Sequence, residues 1–243
     1  EAGAYARRLK QMLEYADVSD ANMEDGSLRV DVNISVRPRG ATTLGTKTEV
    51  KNLNSFSAIE RARERKPWEA LDLPERFGLM TLHRPALVDD AELLPKMLAT
   101  IVDAADGLPL VFPVHPRTRA RLEESDLDVS TLRLVGAMDY LDFLAMEEAA
   151  TVVVTDSGGV QEETSLLGTW CVTVRENTER PITVEQGTNT MVGRDAAAIV
   201  QGVDDILQGR GKRGRVPEYW DGRSAERIAA DLYQWLGALS PTA

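Results

Sequence analysis

From about residue 77 onward, the chain alternates short apolar strands with helices. The strand-like segments are 77–81, 108–114, 132–135, 151–155 and 170–174, and each is largely apolar on both faces. Strands of this kind belong to a sheet that is covered on both sides. Helical spacing of apolar residues fills the stretches between them, at 90–105, 117–124, 140–149, 160–168, 195–207 and 224–236. The sequence therefore predicts an α/β fold built on a parallel sheet with helices on both faces.

The first 63 residues have a different pattern. Residues 28–36 alternate strictly between apolar and polar side chains, which is typical of a half-buried strand. Residues 46–51 read as a returning strand, and a helical stripe occupies residues 1–16. A second helix follows, with Ser55 or Ser57 as its cap. We expect a small α+β segment, a helix plus a hairpin, in front of the sheet.

Charge divides the chain near the same place. Residues 1–63 carry ten Lys and Arg against nine Asp and Glu, whereas the rest carries 18 against 30, within a net charge of −11. We therefore expect two domains, residues 1–63 and 64–243. The acidic second part argues against a nucleic-acid partner, because phosphate contacts need clustered Lys and Arg.

The sequence also bears on the cellular compartment. No apolar run reaches the roughly 18 residues that a membrane helix needs, so no membrane partner is expected. Cys171 is the single cysteine. It cannot form an internal disulfide, and we expect a cytoplasmic protein in which this thiol is buried and unreactive.

Three loops follow strands at the edge where the carboxyl ends of a parallel sheet meet, which is where ligands bind. The residues of interest in these loops are His83 and Arg84, then His115, then Ser157, Gly158 and Gly159. Glycines where a strand passes into a helix let the backbone approach a phosphate, and the helix N-terminus favours an anion. On the residues alone, the glycine pair is equally an ordinary turn, and the two histidines are equally structural.

Three further side chains have two interpretations each. Glu163 either accepts hydrogen bonds from ribose hydroxyls or is a solvated helix residue. Arg180 pairs either with a phosphate or with Glu176 or Glu179. Phe143 either stacks on a base or packs in the core.

The predicted hairpin gathers carboxylates and lysines on its polar face. Glu24 lies just before it, and Asp31 and Glu49 lie within it, beside Lys47 and Lys51. Three carboxylates can hold Mg²⁺ and position phosphates. The alternative is a solvated strand face with cross-strand ion pairs, so we assign no metal site.

Residues 68–237 resemble the UDP-N-acetylglucosamine 2-epimerase family. The segments that match it, in order and spacing, are TLHRP, PVHPRTR, YLDF, TDSGGVQEE, RENTERPITVEQGTN and WDGRSAERI. The resemblance implies a Rossmann-like sheet that forms the UDP-gripping, carboxyl-terminal half of a GT-B-type fold. It also implies an isomerase that needs no cofactor. Such an enzyme eliminates UDP from UDP-GlcNAc and adds it back to a glycal with C2 inverted, giving UDP-ManNAc.

The same resemblance implies a role for each residue at the sheet edge. It implies that Ser157, Gly158 and Gly159 hold the diphosphate and that Glu163 holds the ribose. It implies that the nucleotide lies near His115 and Phe143. His83 and Arg180 would be catalytic residues, and Arg84 and Glu179 would be further substrate-binding residues. One departure is Ala86, which stands where the family often has Glu.

Residues 1–62 resemble a different family, the kinase-and-transamidase component of aspartyl/glutamyl-tRNA amidotransferase. The matching segments are VSDANMEDGSLRVDVNISVRP and GTKTEVKNLNSFSAIERA. This resemblance implies ATP- and Mg²⁺-dependent amidation of a misacylated tRNA. The matching polar residues are Glu24, Arg29, Asp31, Asn33, Lys47, Glu49, Lys51 and Asn52. ATP, Mg²⁺ and tRNA are expected only if this segment defines the function.

The chain thus reads as a chimera, and three functions compete. They are a UDP-sugar epimerase, a fragment of a tRNA amidotransferase, and a non-enzymatic UDP-binding module. We favour the first, with a UDP-sugar as its small-molecule partner, and leave a homodimer open. Because neither resemblance covers a whole family member, we expect the chain to be incomplete and, alone, to turn over neither substrate.

Overall fold

A computed structural model describes residues 32–35, 47–50, 55–114, 116–123 and 132–238. In chain order, its elements are β1 Val32–Ser35, β2 Lys47–Val50, α1 Ser55–Ala62, α2 Pro67–Ala70, β3 Gly78–Thr81, α3 Pro85–Val88, α4 Leu93–Ala104, β4 Leu110–Pro113, α5 Pro116–Glu123, β5 Leu132–Val135, α6 Tyr140–Ala149, β6 Val152–Thr155, α7 Gly158–Leu167, β7 Cys171–Thr173, α8 Pro181–Glu185, β8 Asn189–Met191, α9 Ala196–Leu207 and α10 Ser224–Ala238.

The chain divides into two compact units, which we describe separately. One contains residues 1–61 and 219–243, and the other, called the sheet unit below, contains residues 62–218. In the first unit β1 and β2 pair antiparallel, with Asn33 opposite Glu49 and Ser35 opposite Lys47. The predicted hairpin is confirmed, and the predicted helix at 1–16 lies outside the described residues. The boundary at residue 63 stays a prediction.

The sheet unit contains a six-stranded sheet in the order β5-β4-β3-β6-β7-β8. Every neighbouring pair is parallel, as predicted. The chain starts at β3, moves outward to β5, and then returns to the other side of β3 at β6. The direction of winding therefore reverses between β3 and β6. In open parallel sheets, ligands bind beyond the strand ends at such a reversal.

Both faces of this sheet are buried. Successive side chains of a strand point to opposite faces, so each strand contributes residues to both sides. One face packs with α6 and α7 in a cluster that includes Phe77, Leu79, Val111, Met146, Val153 and Val160. The other face packs with α4 and α9 in a cluster that includes Met80, Leu98, Phe112, Val152, Val154, Ile199 and Val203. All four residues of β6 are buried, which places this strand at the centre of the core.

The structure adds four elements that apolar periodicity does not predict, namely α2, α3, α8 and β8. The strand β8 is hard to recognise because it is short and begins with Asn189, a polar residue that is fully buried. Its amide is satisfied inside the fold, since Thr173 Oγ1 donates to Asn189 Oδ1 over 2.7 Å.

The basic, glycine-rich composition of residues 209–217 is typical of a flexible linker, but the structure packs this segment inside the sheet unit, beside β8. Arg215 N donates to Gln186 O over 2.8 Å. A Cβ added to Gly214 would lie 2.6 Å from Thr188 N, closer than real side chains approach a backbone atom. Gly211, whose added Cβ would lie 2.8 Å from the Trp170 ring, and Gly214 therefore serve close packing.

Candidate functional site

The reversal between β3 and β6 brings two of the predicted loops side by side. Thr81, the last residue of β3, pairs with Thr155, the last residue of β6. His83 and Arg84 follow the first strand, and Ser157, Gly158 and Gly159 follow the second. The loop that follows β7 lies next to them, since β7 pairs with β6.

Asp156 holds the first two loops together. This residue is 1% exposed, and its carboxylate accepts hydrogen bonds from His83 N at 3.1 Å and from Arg84 N at 2.9 Å. His83 Nδ1 also lies 3.1 Å from Asp156 Oδ1. The His83 side chain is 57% exposed, so a ligand can reach it.

Sequence reasoning did not single out Asp156. The available signal was a carboxylate directly after an apolar strand, at the edge of the sheet where ligands bind. Arg84 depends on it as well, since Arg84 Nε donates to Asp156 O over 3.2 Å.

The N-terminus of α7 is open to a ligand. Ser157 is the N-cap of this ten-residue helix, with extended backbone, and its side chain makes no capping hydrogen bond. A Cβ added to Gly158 would meet no atom nearer than Glu179 Oε2 at 3.9 Å, and one added to Gly159 none nearer than Ser157 Oγ at 3.9 Å. Protein packing therefore does not require glycine here, and the space lies beside N–H groups that suit an anion.

The loop after β7 contributes a charged pair. Arg175 is 8% exposed, and its guanidinium donates to both carboxylate oxygens of Glu179, over 2.8 and 3.0 Å. These hydrogen bonds lower the pKa of Glu179 to about 2. Arg84 lies on the other side of the carboxylate, with Nη2 3.7 Å from Oε2. Glu179, predicted to bind substrate, thus links the β3 and β7 loops.

Arg180 lies at the start of α8 and faces the first turns of α7. Its Nε is 2.7 Å from Glu162 Oε1, in an ion pair that sequence analysis did not predict. The two carboxylates that the sequence suggested as partners of Arg180, those of Glu176 and Glu179, do not form this ion pair. The Glu179 carboxylate is held by Arg175, and Glu176 Oε1 accepts instead from Arg194 N over 3.1 Å.

Glu163 and Phe143 lie between α6 and α7. Tyr140 Oη donates to Glu163 Oε1 over 3.0 Å, which fixes the half-buried carboxylate. Phe143 is partly buried and packs against the apolar cluster of α6 and α7.

One residue of α6 stands out chemically. Glu147 is fully buried, and neither of its carboxylate oxygens has a hydrogen-bond partner. Burial raises its pKa well above the ordinary value, and the nearby charge of Glu163 raises it further. Burial therefore favours the neutral, protonated form of Glu147 in the folded protein.

The other predicted residues divide as follows. His115, Glu24 and Asp31 lie outside the described residues, and Glu49 lies on β2. Among the described residues, no group of three or more His, Cys, Asp or Glu side chains is placed to hold a metal ion. Cys171 is buried as predicted, and burial raises the pKa of its thiol to about 12.

Comparison with known proteins gives similarity to epimerases over most of the chain. Residues 37–233 match the family model described as UDP-N-acetylglucosamine 2-epimerase. The UDP-N-acetylglucosamine 2-epimerase of Methanocaldococcus jannaschii is 36% identical over 167 residues, which are 66% of this chain and 45% of the relative. A probable UDP-N-acetylglucosamine 2-epimerase of Ralstonia solanacearum is 30% identical over 230 residues, which are 91% of this chain and 57% of the relative. The chain thus spans about half the length of these relatives.

Solved structures show the same likeness. The M. jannaschii UDP-GlcNAc 2-epimerase, crystallised with UDP-GlcNAc and UDP, superposes with a TM-score of 0.63 at 33% identity, covering 73% of this chain and 51% of that one. The parallel sheet with its helices therefore has the fold of the matching half of this epimerase.

The beginning of the chain is similar to a second group, as its sequence indicated. An aspartyl/glutamyl-tRNA amidotransferase component from Moorella thermoacetica is 64% identical over 64 residues, which are 26% of this chain and 13% of that relative.

In the described part of the chain, no helix is both long and apolar enough to cross a membrane.

Proposed function

The chain belongs to the UDP-N-acetylglucosamine 2-epimerase family, and from this premise we propose that its sheet edge binds the UDP part of a nucleotide sugar. One observation carries the proposal. The N-terminus of α7 presents two glycines whose Cβ positions would have no neighbour closer than 3.9 Å. They lie with His83, Arg84 and Arg180 in the loop cluster, by which we mean the loops that follow β3, β6 and β7.

In this proposal the diphosphate lies at the start of α7. The N–H groups of the first helical turn have no intrahelical partners, and the helix dipole favours negative charge there. Gly158 and Gly159 let phosphate oxygens approach the backbone where a Cβ would intrude, and the Ser157 hydroxyl is at hand because it makes no cap hydrogen bond.

The uridine half extends from the diphosphate toward α6 and α7. Glu163 accepts hydrogen bonds from the ribose hydroxyls while Tyr140 Oη holds its other side. His115 and Phe143 are proposed to lie near the nucleotide, following the family resemblance. Glu179 is proposed to contribute through Arg84 and Arg175, because its carboxylate would repel a phosphate.

The reaction proposed is the interconversion of UDP-GlcNAc and UDP-ManNAc, in which the C2 proton and UDP both leave to give a glycal and both return with C2 inverted. The sheet edge is proposed to serve the departure and return of UDP. The C2 proton transfer is not assigned to this chain, which alone is expected not to complete the reaction. When the sugar–oxygen bond breaks, negative charge grows on the departing diphosphate. Positive groups and N–H donors already in place stabilise that charge in the transition state. His83 and Arg180 are the proposed catalytic residues at this step.

Further parts of the proposal concern partners and location. We include a cytoplasmic location, because the single cysteine suits a reducing compartment. The net charge of −11 favours a small-molecule partner over a nucleic acid. ATP, Mg²⁺ and tRNA are proposed as ligands only if the first 62 residues define the function.

The test is the binding of UDP by the full chain and two variants, measured by calorimetry and thermal stabilisation. Removing a charge-assisted contact costs about 1.5–3 kcal/mol, so Arg180→Ala and Glu163→Ala are each expected to weaken UDP binding by about 10–100-fold. Arg213→Ala, an exposed arginine outside the loop cluster, is the matched control and should bind UDP like the parent chain. Absence of stabilisation of the parent chain at millimolar UDP would overturn the proposal.

A further inference from the structure

The backbone of Arg180 is held from both sides by side chains of the sheet unit. Its N–H donates to Thr178 Oγ1 over 2.9 Å. Its carbonyl oxygen accepts from Thr183 Oγ1 over 2.7 Å and from Thr183 N over 3.0 Å. Arg180 therefore has both of its main-chain polar groups in short hydrogen bonds, although it lies in a loop.

The two threonines are also connected to each other in the interior, through the side chains of Gln161 and Asn189. Thr178 Oγ1 donates to Gln161 Oε1 over 2.6 Å. Asn189 Nδ2 approaches the same Gln161 oxygen at 3.4 Å and donates to Thr183 Oγ1 over 3.2 Å. These five residues form a closed ring of hydrogen bonds, called the Arg180 ring below: Arg180 N–H, Thr178, Gln161, Asn189, Thr183 and back to the Arg180 carbonyl.

The inner members of the Arg180 ring are rigidly placed. Gln161 and Asn189 are both fully buried, one in the first turns of α7 and the other on β8. Asn189 is fixed in turn by Thr173 on β7. Hydrogen bonds in a dry interior are strong and costly to break, so the ring transmits the position of the helix and the sheet to the loop.

We propose that Thr178 and Gln161 are positioning residues for Arg180, which set its distance from the N-terminus of α7 so that the site selects a nucleoside diphosphate over a monophosphate. This inference rests on the proposed UDP site. The helix N–H groups can bind any phosphate, whereas an arginine held at a fixed distance adds binding energy only to a ligand with a second phosphate in reach.

The chemistry of position 178 makes the inference specific. The side chain must accept from Arg180 N–H and donate to Gln161 Oε1 at the same time. A hydroxyl does both. Serine keeps the ring closed, while valine, which has the shape of threonine, removes both hydrogen bonds that the Thr178 hydroxyl makes.

The experiment compares the full chain with Thr178→Val and Thr178→Ser by calorimetric titration with UDP and with UMP. Thr178→Val removes two hydrogen bonds and releases the Arg180 backbone, and we expect the resulting loss of the Arg180 contact to weaken UDP binding about tenfold. UMP binding should change less than about twofold, and Thr178→Ser should restore the parent preference for UDP. In an Arg180→Ala background, Thr178→Val should have no further effect on UDP.

The outcomes separate this inference from the function on which it rests. If the parent chain fails to bind UDP, the proposed function is wrong, and the inference falls with it. If the parent binds UDP but Thr178→Val weakens UDP and UMP equally, or weakens neither, the positioning role alone is overturned. Hydrogen exchange at the Arg180 amide gives a ligand-independent check, because Thr178→Val should remove its protection and Thr178→Ser should keep it. Unchanged protection in Thr178→Val would also overturn the role.

Discussion

Two regions of the sheet unit use paired glycines in opposite ways. At the start of α7, Cβ atoms on Gly158 and Gly159 would find no neighbour closer than 3.9 Å. Beside β8, a Cβ on Gly187 would lie 2.7 Å from Thr183 O, and one on Gly214 would lie 2.6 Å from Thr188 N. Glycine in the second region makes room for the protein's own backbone, whereas glycine in the first region leaves room that the protein does not use. The contrast separates glycines that the packing of the protein requires from glycines that it does not require.

The largest expected effect is in the packed region. Gly187→Ala forces a methyl group against Thr183 O and the Ser165 side chain, both of which are in the interior. Overpacking of this kind is expected to lower the free energy of unfolding by about 2–4 kcal/mol. Urea unfolding followed by circular dichroism measures it. A midpoint equal to that of the parent chain would remove the contrast between the two regions.

The second prediction concerns the open region. Gly158→Ala places a methyl group where a phosphate would approach the helix, so UDP binding is expected to fall about tenfold or more. Stability should stay the same or rise by about 0.5–1 kcal/mol, because alanine is the better helix residue. Gly136→Ala, at a glycine that has no neighbour within 4 Å and lies beyond β5, is the control. A Gly158→Ala chain that binds UDP normally would show that the open space is not a phosphate site.

The third and smallest effect concerns Glu147, an exception within the packed interior. A carboxyl group whose pKa is raised by folding stabilises the folded state fully below its unfolded pKa, near 4.5, and loses this contribution as the pH rises toward the folded pKa. Glu147→Gln removes the cost of keeping the acid neutral. We expect it to stabilise the protein by about 1–2 kcal/mol at pH 8 and by much less at pH 4.5. Thermal unfolding across this range is the measurement, and a variant advantage independent of pH would contradict the explanation.

The sequence allowed the sheet to be predicted because β3, β4 and β6 are apolar on both faces, a pattern that few other environments produce. It also identified the loops that meet at the reversal between β3 and β6, since these loops follow strands. It did not reveal Asp156 or β8. Both depend on partners distant in sequence, namely the His83 and Arg84 amides for Asp156 and Thr173 for Asn189.

The Arg180 ring illustrates the same limit. Gln161, Thr178, Thr183 and Asn189 follow no helical or strand period, and each alone is an unremarkable polar residue. Their relation exists only after α7, α8 and β8 are packed together. Periodicity reports which face of an element is buried, but it does not report which buried polar groups will satisfy one another.

The buried state of Cys171 has a practical consequence for following ligand binding in solution. It is the single cysteine of the 243-residue chain, and a thiol with a pKa of about 12 forms almost no thiolate at neutral pH. A reporter dye attached through a cysteine introduced on the surface would therefore label one place only, with no need to remove a native thiol first. The protein can be fitted with a fluorescent probe beside the α7 N-terminus while its own sulfur remains silent.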